Sequence, residues 1–346
     1  MEPVPKREKT MLIDIHTHVL NKDHWPEGMK WAAARRAARS TFPFGDPKVI
    51  KEAGSIYDVL HDPQGDRWVR DMELLGIDAG VCQTNDFGAA EGWGEEAVLP
   101  IEEINRQVYR LTRKYPGKLL AFVGVNPKRR CALEIVEEGV KKWGAKGVKL
   151  LPHTGFYPND RSCYRLYEKC VELGVPVTIH TGQAPFRHIK YTNPIYLDEP
   201  SQDFPELEFI MAHVGGGIGF MWEEAVTVSR FNPNISFDLA EVAPTVIKGG
   251  WRGNKGKYKD HIPAFLDMLD IMRNALAGGC LNVLFGTDYP FYPIEVVKEW
   301  VELFKNLPTV AAKYGYDFSQ DEVDQMCYKN AARLLKLDIG ENSGVA

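Results

Sequence analysis

Two histidines, His16 and His18, lie at the end of the first apolar run of the chain, MLIDIHTH (11–18). Residues i and i+2 of an extended strand point to the same side, so both imidazoles face one side of the backbone where this strand ends. Imidazole nitrogens are the commonest protein ligands of metal ions. The pair therefore predicts one part of a metal site.

Three later apolar runs also end in a residue type that binds metals. VPVTIH (175–180) ends at His180, LEFIMAH (207–213) ends at His213, and LNVLFGTD (281–288) ends at Asp288. Three imidazoles and one carboxylate suit zinc, and manganese or iron would also accept them. Such a set can leave one position for a water, whose pKa a bound cation lowers toward ~7. On spacing alone, His180 and His213 could exchange roles.

Strand-like and helix-like segments alternate along the chain, which is typical of parallel strands joined by helices. The predicted strands are 11–15, 79–83, 119–124, 146–151, 175–179, 207–212, 234–238 and 281–285. The predicted helices are 66–76, 101–114, 131–142, 162–173, 191–203, 218–230, 262–276 and 293–306, with an extra C-terminal helix at 319–335. Eight strand–helix units fit an α/β fold of the (β/α)8 TIM barrel type better than a doubly wound sheet.

The barrel explains how distant residues could share one site. The carboxyl ends of all its strands meet at one mouth, so the four histidines and Asp288 would face the same space. We expect one domain over residues 11–337, with tails at 1–10 and 338–346. Long insertions follow strands one and seven, at 19–62, with a predicted helix from Trp25 to Ser40, and at 241–261. Loops of this length often act as lids or subunit contacts, although solvated surface excursions are an equal alternative.

Composition excludes several classes of protein. With 44% hydrophobic and 26% charged residues, the 346-residue chain resembles a soluble globular protein, and its formal charge of −5 gives no general attraction to nucleic acid or anionic membranes. No stretch approaches the ~20 apolar residues of a membrane span, and no secretory signal is recognisable. The six cysteines show no CxxC spacing. We therefore expect reduced thiols and a cytoplasmic location.

Four motifs resemble those of the amidohydrolase superfamily, specifically its amidohydrolase-2 branch: IDIHTH (13–18), IHTG (179–182), AHVGG (212–216) and GTDYP (286–290). That branch contains decarboxylases of aromatic and muconate-type acids and several lactone hydrolases. The resemblance implies that His16, His18, His180 and Asp288 hold one divalent metal ion, most simply zinc. It also implies that His213 is the catalytic acid or base, assisted by Asp288, and that the protein is a homodimer.

Further residues are candidates for binding the substrate. Lys149 ends the fourth strand, where binuclear amidohydrolases carry a carbamylated lysine that bridges two metals. The alternatives are a cation that anchors a substrate carboxylate, which we favour, or a lysine with a buried stem and its head at the rim. We expect His153, Gln183 and Arg187 to line the same pocket.

The sequence predicts the roles of other polar residues less specifically. Rim or supporting positions are predicted for Asn85, Asp86, Asn126, Tyr157, Asp238 and Glu241. A bidentate carboxylate anchor is expected among Arg35, Arg36, Arg39, Arg187 and Arg252. Surface or lid positions are expected for His24, His61, His188 and His261.

Two reactions fit this set of residues. The first is hydrolysis, in which metal-activated water attacks an amide, lactone or ester carbonyl of a small, carboxylated molecule and His213 or Asp288 protonates the leaving atom. The second is metal-dependent, non-oxidative decarboxylation of an aromatic or muconate-type acid. Several decarboxylases of the branch have Glu-x-His where this chain has His16-Thr17-His18, which mildly favours hydrolysis. A catalytically silent metal-binding scaffold is a third interpretation, which the complete ligand set disfavours.

Overall fold

The computed structural model describes residues 10–38, 46–88, 95–182, 188–216, 221–242, 261–275 and 279–339. Eight strands form one parallel sheet in which spatial order follows chain order. They are Ile13–Thr17 (β1), Ala79–Gln83 (β2), Leu119–Gly124 (β3), Gly147–Leu150 (β4), Val177–His180 (β5), Phe209–Ala212 (β6), Ile235–Asp238 (β7) and Val283–Leu284 (β8).

The first and last strands come together to close the barrel almost completely. The N–H of Ile15 donates to the carbonyl of Phe285 at 3.1 Å, and the N–H of Asp288 donates to the carbonyl of His16 at 2.9 Å. The segment that follows β8 therefore lies beside β1. The predicted (β/α)8 fold is confirmed.

Helices cover the outside of the barrel. They are Glu27–Ala38 (α1), Pro47–Val59 (α2), Asp66–Leu75 (α3), Ile101–Lys114 (α4), Ala132–Lys141 (α5), Arg161–Leu173 (α6), Asp198–Asp203 (α7), Trp222–Phe231 (α8), His261–Ala275 (α9), Ile294–Lys305 (α10), Leu307–Ala312 (α11), Gln320–Asp324 (α12) and Asn330–Leu335 (α13). All residues of β4, β5, β6 and β7 are buried. Strands buried on both faces are typical of a parallel sheet covered by helices.

Three predicted elements differ from the structure in extent. The helix predicted at 191–203 is two 3-10 turns followed by the short α7, because Pro194 and Pro200 interrupt regular hydrogen bonding. Strand β8 has only two residues, since the preceding Gly279–Asn282 forms a 3-10 turn. The last helix is divided by a π-helical turn at Gln325–Lys329.

The first insertion lies over the ends of the strands. It contains α1, which the sequence predicted over a slightly longer range, and α2, which it did not predict. Its apolar side chains pack against residues that follow β2, β4 and β8. This cluster consists of Leu20, Trp25, Met29, Leu60, Phe87 and Leu151, with Phe291 at its edge. The insertion therefore covers one side of the barrel mouth with apolar surface.

Most of the second insertion, residues 243–260, lies outside the described part of the chain. The same is true of almost all of the two predicted tails. Within the described ranges, every helix is too short or too polar to cross a lipid bilayer.

Candidate metal centre

The two histidines of the first motif point their Nε2 atoms to a common side. The Nδ1–H of His16 donates to Asp238 Oδ2 at 2.7 Å, and the Nδ1–H of His18 donates to the carbonyl of Gln83 at 2.7 Å. A carboxylate and a carbonyl only accept hydrogen bonds, so each Nε2 keeps a lone pair. Metal-binding histidines typically donate their other ring N–H to a carboxylate or a carbonyl in this way.

Both rings are neutral at ordinary pH. Burial lowers the pKa of His18 to about 3 and the pKa of His16 well below its usual value, and the neighbouring Lys149 ammonium adds to both shifts. Metal binding requires unprotonated imidazole. No proton has to be displaced from either Nε2 atom.

Asp288 completes the group. Its Oδ1 lies 3.1 Å from Nε2 of His18 and 3.7 Å from Nε2 of His16, and the three ligand atoms lie within 4.8 Å of one another. Bonds of 2.0–2.1 Å to a tetrahedral zinc place neighbouring ligands about 3.3 Å apart. Two electron-pair donors at this distance need either a shared proton or a metal ion between them. The donor set therefore fits a divalent cation.

Burial raises the pKa of Asp288 well above its usual value, while the Lys149 ammonium acts in the opposite direction. A bound cation would favour the ionised form. The backbone of Asp288 is left-handed, with φ of 57°. Non-glycine residues adopt this conformation at a cost, which is smaller for aspartate than for most, and residues strained in this way cluster at functional sites.

Asp238 connects two parts of the site. Besides holding His16 through Oδ2, it accepts hydrogen bonds through Oδ1 from the backbone N–H groups of His213, at 2.8 Å, and Ala240, at 3.2 Å. One buried carboxylate thus fixes both a proposed ligand and the residue proposed to transfer protons. The sequence placed Asp238 only among supporting candidates.

We expect Asp238→Asn to weaken metal binding by about 10- to 100-fold, because the amide cannot hold His16 Nδ1–H as a carboxylate does. Competition with a chelator of known affinity would measure the loss. Asp338→Asn, on the exposed C-terminal segment, is the matched control. Equal affinities in the two variants would contradict the supporting role of Asp238.

His180 and His213 lie together beside the first motif, and the ring centroid of His213 is 4.6 Å from that of His16 and 4.7 Å from that of His180. His213 Nε2 is 3.2 Å from His180 Nδ1, and the ring of His180 also contacts the ring of His153 edge-on, with centroids 4.7 Å apart. Among the described residues, the group that contains His16 and His18 is completed by Asp288. His180 therefore approaches the site through His213, and its ligand role stays a prediction.

Glycine is required where the loops after β5 and β6 meet. Gly182 has φ of +83°, and a Cβ built there would lie 2.3 Å from the backbone nitrogen of Gly216. Thr181 joins the same loops, since its hydroxyl donates to the carbonyl of Ala212 and accepts from the N–H of Gly215. These contacts hold the turn that begins at His213.

Gly182→Ala should lower the free energy of unfolding by about 2–5 kcal/mol, because left-handed strain adds to a backbone clash. Gly144→Ala is the matched control. Gly144 has φ of +72° but nothing within 4 Å of its virtual Cβ, so only about 1–2 kcal/mol of strain is expected. Urea denaturation would compare them. Similar losses in both variants would show that the contact with Gly216 does not matter.

Lys149 is buried inside the barrel, 1% exposed, with Nζ 3.2 Å from Nε2 of His16. Its nitrogen is as buried as its stem, so the alternative with the head at the rim is wrong. Burial lowers its pKa to about 8, while Asp238, Asp288 and Glu241 act in the opposite direction. A bridging carbamate and a substrate anchor both remain compatible with this position.

Several supporting candidates have structural partners. Asp86 accepts two hydrogen bonds from Arg129, at 2.6 and 2.8 Å, and one from the N–H of Asn126 at 2.7 Å. It thereby joins the loops after β2 and β3, and the sequence did not single out Arg129. Asn85 lies closer to the metal centre, with Nδ2 3.4 Å from Nδ1 of His18.

The remaining candidates are scattered. The ring of Tyr157 contacts the rings of Tyr191 and Tyr196 at interplanar angles of 59° and 63°. Arg35 is exposed. Gln183, Arg187, Arg39 and Arg252 lie outside the described residues, as does the side chain of Arg36.

Among the described side chains, the other histidines belong to no group that could hold a metal ion. His61 and His188 are exposed, and His261 begins α9. His24 was expected at the surface or in a lid, but its side chain is buried. It is 5% exposed because its Nε2 pairs with Gln107 Oε1 at 3.0 Å.

Sequence reasoning also missed the contact that fixes the end of β1. Asp14 Oδ2 accepts from the hydroxyl of Thr287 at 2.5 Å, and Oδ1 accepts from the N–H groups of Thr287 and His16 at 3.1 Å. Asp14 therefore joins the histidine motif to the segment that carries Asp288. Asp14 and Thr287 both lie within motifs quoted above, and this was the only feature of the sequence that could have pointed to their contact.

Known proteins share this architecture. Residues 13–337 match the family model described as amidohydrolase. The chain is 28% identical over 243 residues to 2-keto-4-carboxy-3-hexenedioate hydratase from Sphingobium sp. strain SYK-6, an alignment that covers 61% of this chain and 67% of that protein.

Solved structures extend the match to nearly the whole chain. One is 5-carboxyvanillate decarboxylase from Novosphingobium aromaticivorans, solved with manganese and a nitrobenzoic acid ligand (TM-score 0.64, 16% identity, 94% of this chain and 96% of that chain). Another is 4-oxalomesaconate hydratase from Rhodopseudomonas palustris (TM-score 0.55, 20% identity, 94% and 96%). At these identities the structural matches show a common fold. The family model spans almost the entire chain, and the protein therefore belongs to the amidohydrolase family, in the amidohydrolase-2 branch.

Proposed function

We propose that this protein is a metal-dependent enzyme that adds activated water to a carbon–carbon double bond of a small carboxylic acid. The observation that carries the proposal is the pair of lone-pair donors, His18 Nε2 and Asp288 Oδ1, facing each other at 3.1 Å beside His16. A divalent cation held there supplies Lewis acidity and a water with a pKa near ~7. Zinc is our first candidate, with manganese or iron as alternatives.

The charges around the site support a single divalent cation. The carboxylates that act on the Lys149 ammonium are Asp238, Asp288 and Glu241. Burial raises the pKa of Asp288 well above its usual value and that of Glu241 to about 8, and a bound cation would favour the ionised form of both. With all three carboxylates ionised beside the one ammonium, these four groups carry a net charge of −2, which one divalent cation balances. A second cation would leave uncompensated positive charge in a buried site. We therefore favour a mononuclear centre, with Lys149 as a cation that attracts a substrate carboxylate.

The side chains divide the chemistry between them. Asp288 lies where it can take a proton from the water as its oxygen bonds to one carbon of the double bond. His213 Nδ1 is buried and, within the described structure, has no hydrogen-bond partner, so a proton on it could pass to the neighbouring carbon. A C–O bond, a C–H bond and an O–H bond on Asp288 form, while the π bond of the double bond, one O–H bond of water and the N–H bond of His213 break. Proton return from Asp288 to His213 completes the cycle.

Hydrolysis of an amide, lactone or ester is the second candidate, because it uses the same nucleophile with a carbonyl as acceptor. The hydratase relative from Sphingobium, at 28% identity, favours the double bond. Decarboxylation needs no water as a nucleophile and would use His213 only to protonate a ring carbon. The histidine in place of glutamate at His16 disfavours it mildly.

An assay in isotopically labelled water separates these reactions. The metal-loaded protein is offered hexenedioate- and muconate-type acids, lactones of such acids, and hydroxybenzoates. Hydration gives a product heavier by one water, with the label on a new hydroxyl and no carbon dioxide. Hydrolysis places the label in a new carboxylate, and decarboxylation releases carbon dioxide. Turnover that persists after complete removal of metal, verified by elemental analysis, would overturn the proposal.

A further inference from the structure

A third carboxylate lies beside the proposed catalytic groups and has no role in the steps above. Glu241 follows β7 by three residues, and its ligand oxygen, a ring nitrogen of His213 and an oxygen of Asp288 lie within 4.8 Å of one another. This group shares Asp288 with the His16–His18 group. The space next to Asp288 is therefore bounded by the ligands on one side and by His213 and Glu241 on the other.

The backbone holds these three side chains in place at some cost. His213, Glu241 and Asp288 have φ of 66°, 61° and 57°, and the described chain contains only two other non-glycine residues with positive φ. The three residues follow β6, β7 and β8, so the unusual conformation arises independently at three successive strand ends. Strained residues that converge on one point are typical of functional sites.

One carboxylate oxygen of Glu241 accepts a hydrogen bond, and the other has no partner among the described residues. The hydroxyl of Tyr292, which is buried, donates a hydrogen bond to the carboxylate. Oε2 is buried and has no hydrogen-bond partner among the described residues. His213 Nδ1 is likewise buried and unpartnered. A buried acceptor left without a partner is costly unless a ligand or water satisfies it.

We propose that Glu241 is a catalytic residue that orients the reacting water, accepting a hydrogen bond from it through Oε2. Water has two hydrogens, and Asp288 takes only one of them in the proposed reaction. A hydrogen bond from the second hydrogen to Glu241 directs the oxygen lone pair toward the substrate carbon. Tyr292 positions the carboxylate. This inference rests on the proposed function of the same site.

The test compares Glu241→Gln with Glu295→Gln, which removes the same charge from an exposed position in the first turn of α10. In Glu241→Gln we expect kcat to fall by about 100-fold and KM to change by less than about threefold, because the loss affects orientation rather than binding. Bound metal should stay at the wild-type level. Tyr292→Phe should lower kcat by about tenfold, since it removes the hydrogen bond that positions the carboxylate but leaves the carboxylate itself in place.

A second measurement does not depend on turnover. Azide is a small anion that competes for open positions on metal ions, and a carboxylate beside such a position repels it. Glu241→Gln should therefore bind azide about tenfold more tightly than the wild type. Glu241→Asp keeps the charge but moves the carboxylate oxygens away from the water, because its side chain is shorter. It should therefore have a lower kcat and wild-type azide affinity. This variant also serves if the glutamine variant does not fold.

The inference is overturned if Glu241→Gln has wild-type kcat, if it loses its metal together with its activity, or if azide affinity is unchanged. Its failure is distinct from failure of the proposed function. A wild-type protein that needs no metal would refute the proposed function regardless of Glu241. A metal-dependent wild type matched by Glu241→Gln would refute only the role of Glu241.

Discussion

Asp288→Asn should lower kcat/KM by about 1,000-fold or more, because one substitution removes a metal ligand and the group that takes the proton from water. The amide keeps the shape of Asp288 and its backbone bond to His16. Its neutral oxygen binds a cation more weakly and accepts no proton. Steady-state kinetics in excess metal would measure the loss of catalysis, and elemental analysis after dialysis would measure the loss of metal.

The exposed Asp338→Asn variant serves again as the control and should retain wild-type kinetics. Excess metal matters in this comparison, because it separates weak binding from loss of proton transfer. If occupancy is restored and activity is not, the carboxylate is needed for chemistry as well as for binding. Wild-type kinetics in Asp288→Asn would contradict both assigned roles.

His213→Gln is expected to have the second largest effect, a fall in kcat of about 100- to 10,000-fold with metal content unchanged. The reason is that His213 supplies the proton for the substrate carbon. It shares one group of possible ligands with His16 and Asp238 and another with Glu241 and Asp288, but it is not part of the group of His16, His18 and Asp288 that we assign to the metal. Its backbone bond to Asp238 does not depend on the side chain. Steady-state kinetics and metal analysis on the same preparation would test both halves of the prediction.

His188→Gln, at an exposed position, controls for the loss of an imidazole. His213→Gln that has lost its metal in proportion to its activity would make His213 a ligand instead of a proton donor. In that case His180 and His213 would exchange the roles that the resemblance assigns. The 3.2 Å contact between their rings shows why spacing along the chain could not separate them.

The sequence predicted the barrel because each strand is a short apolar run of its own, and because a polar residue marks the end of several runs. His16, His18 and Asp288 could be assigned to one mouth without knowing any distance, since parallel strands align their carboxyl ends. The interruptions at Pro194 and Pro200 were also visible. These features depend on local residue types.

Other features depend on contacts that local patterns do not encode. Asp238 is one acidic residue among several in the sequence, and only the fold brings its carboxylate to His16, 222 positions away. The partner of His18 is the carbonyl of Gln83, a backbone group that every residue has. Positive φ at Glu241 and Asp288 has no composition signal, because neither residue is glycine. The position of the site could therefore be predicted from the sequence, but the contacts among its residues could not.

The most direct test of this account is the metal content of the wild type and of His16→Ala/His18→Ala after reconstitution and dialysis. The account predicts one equivalent of a divalent metal in the wild type and little or none in the double variant, with the fold retained by circular dichroism. Equal metal content in the two folded proteins would show that these histidines do not hold the cation. The proposed chemistry would then have no basis.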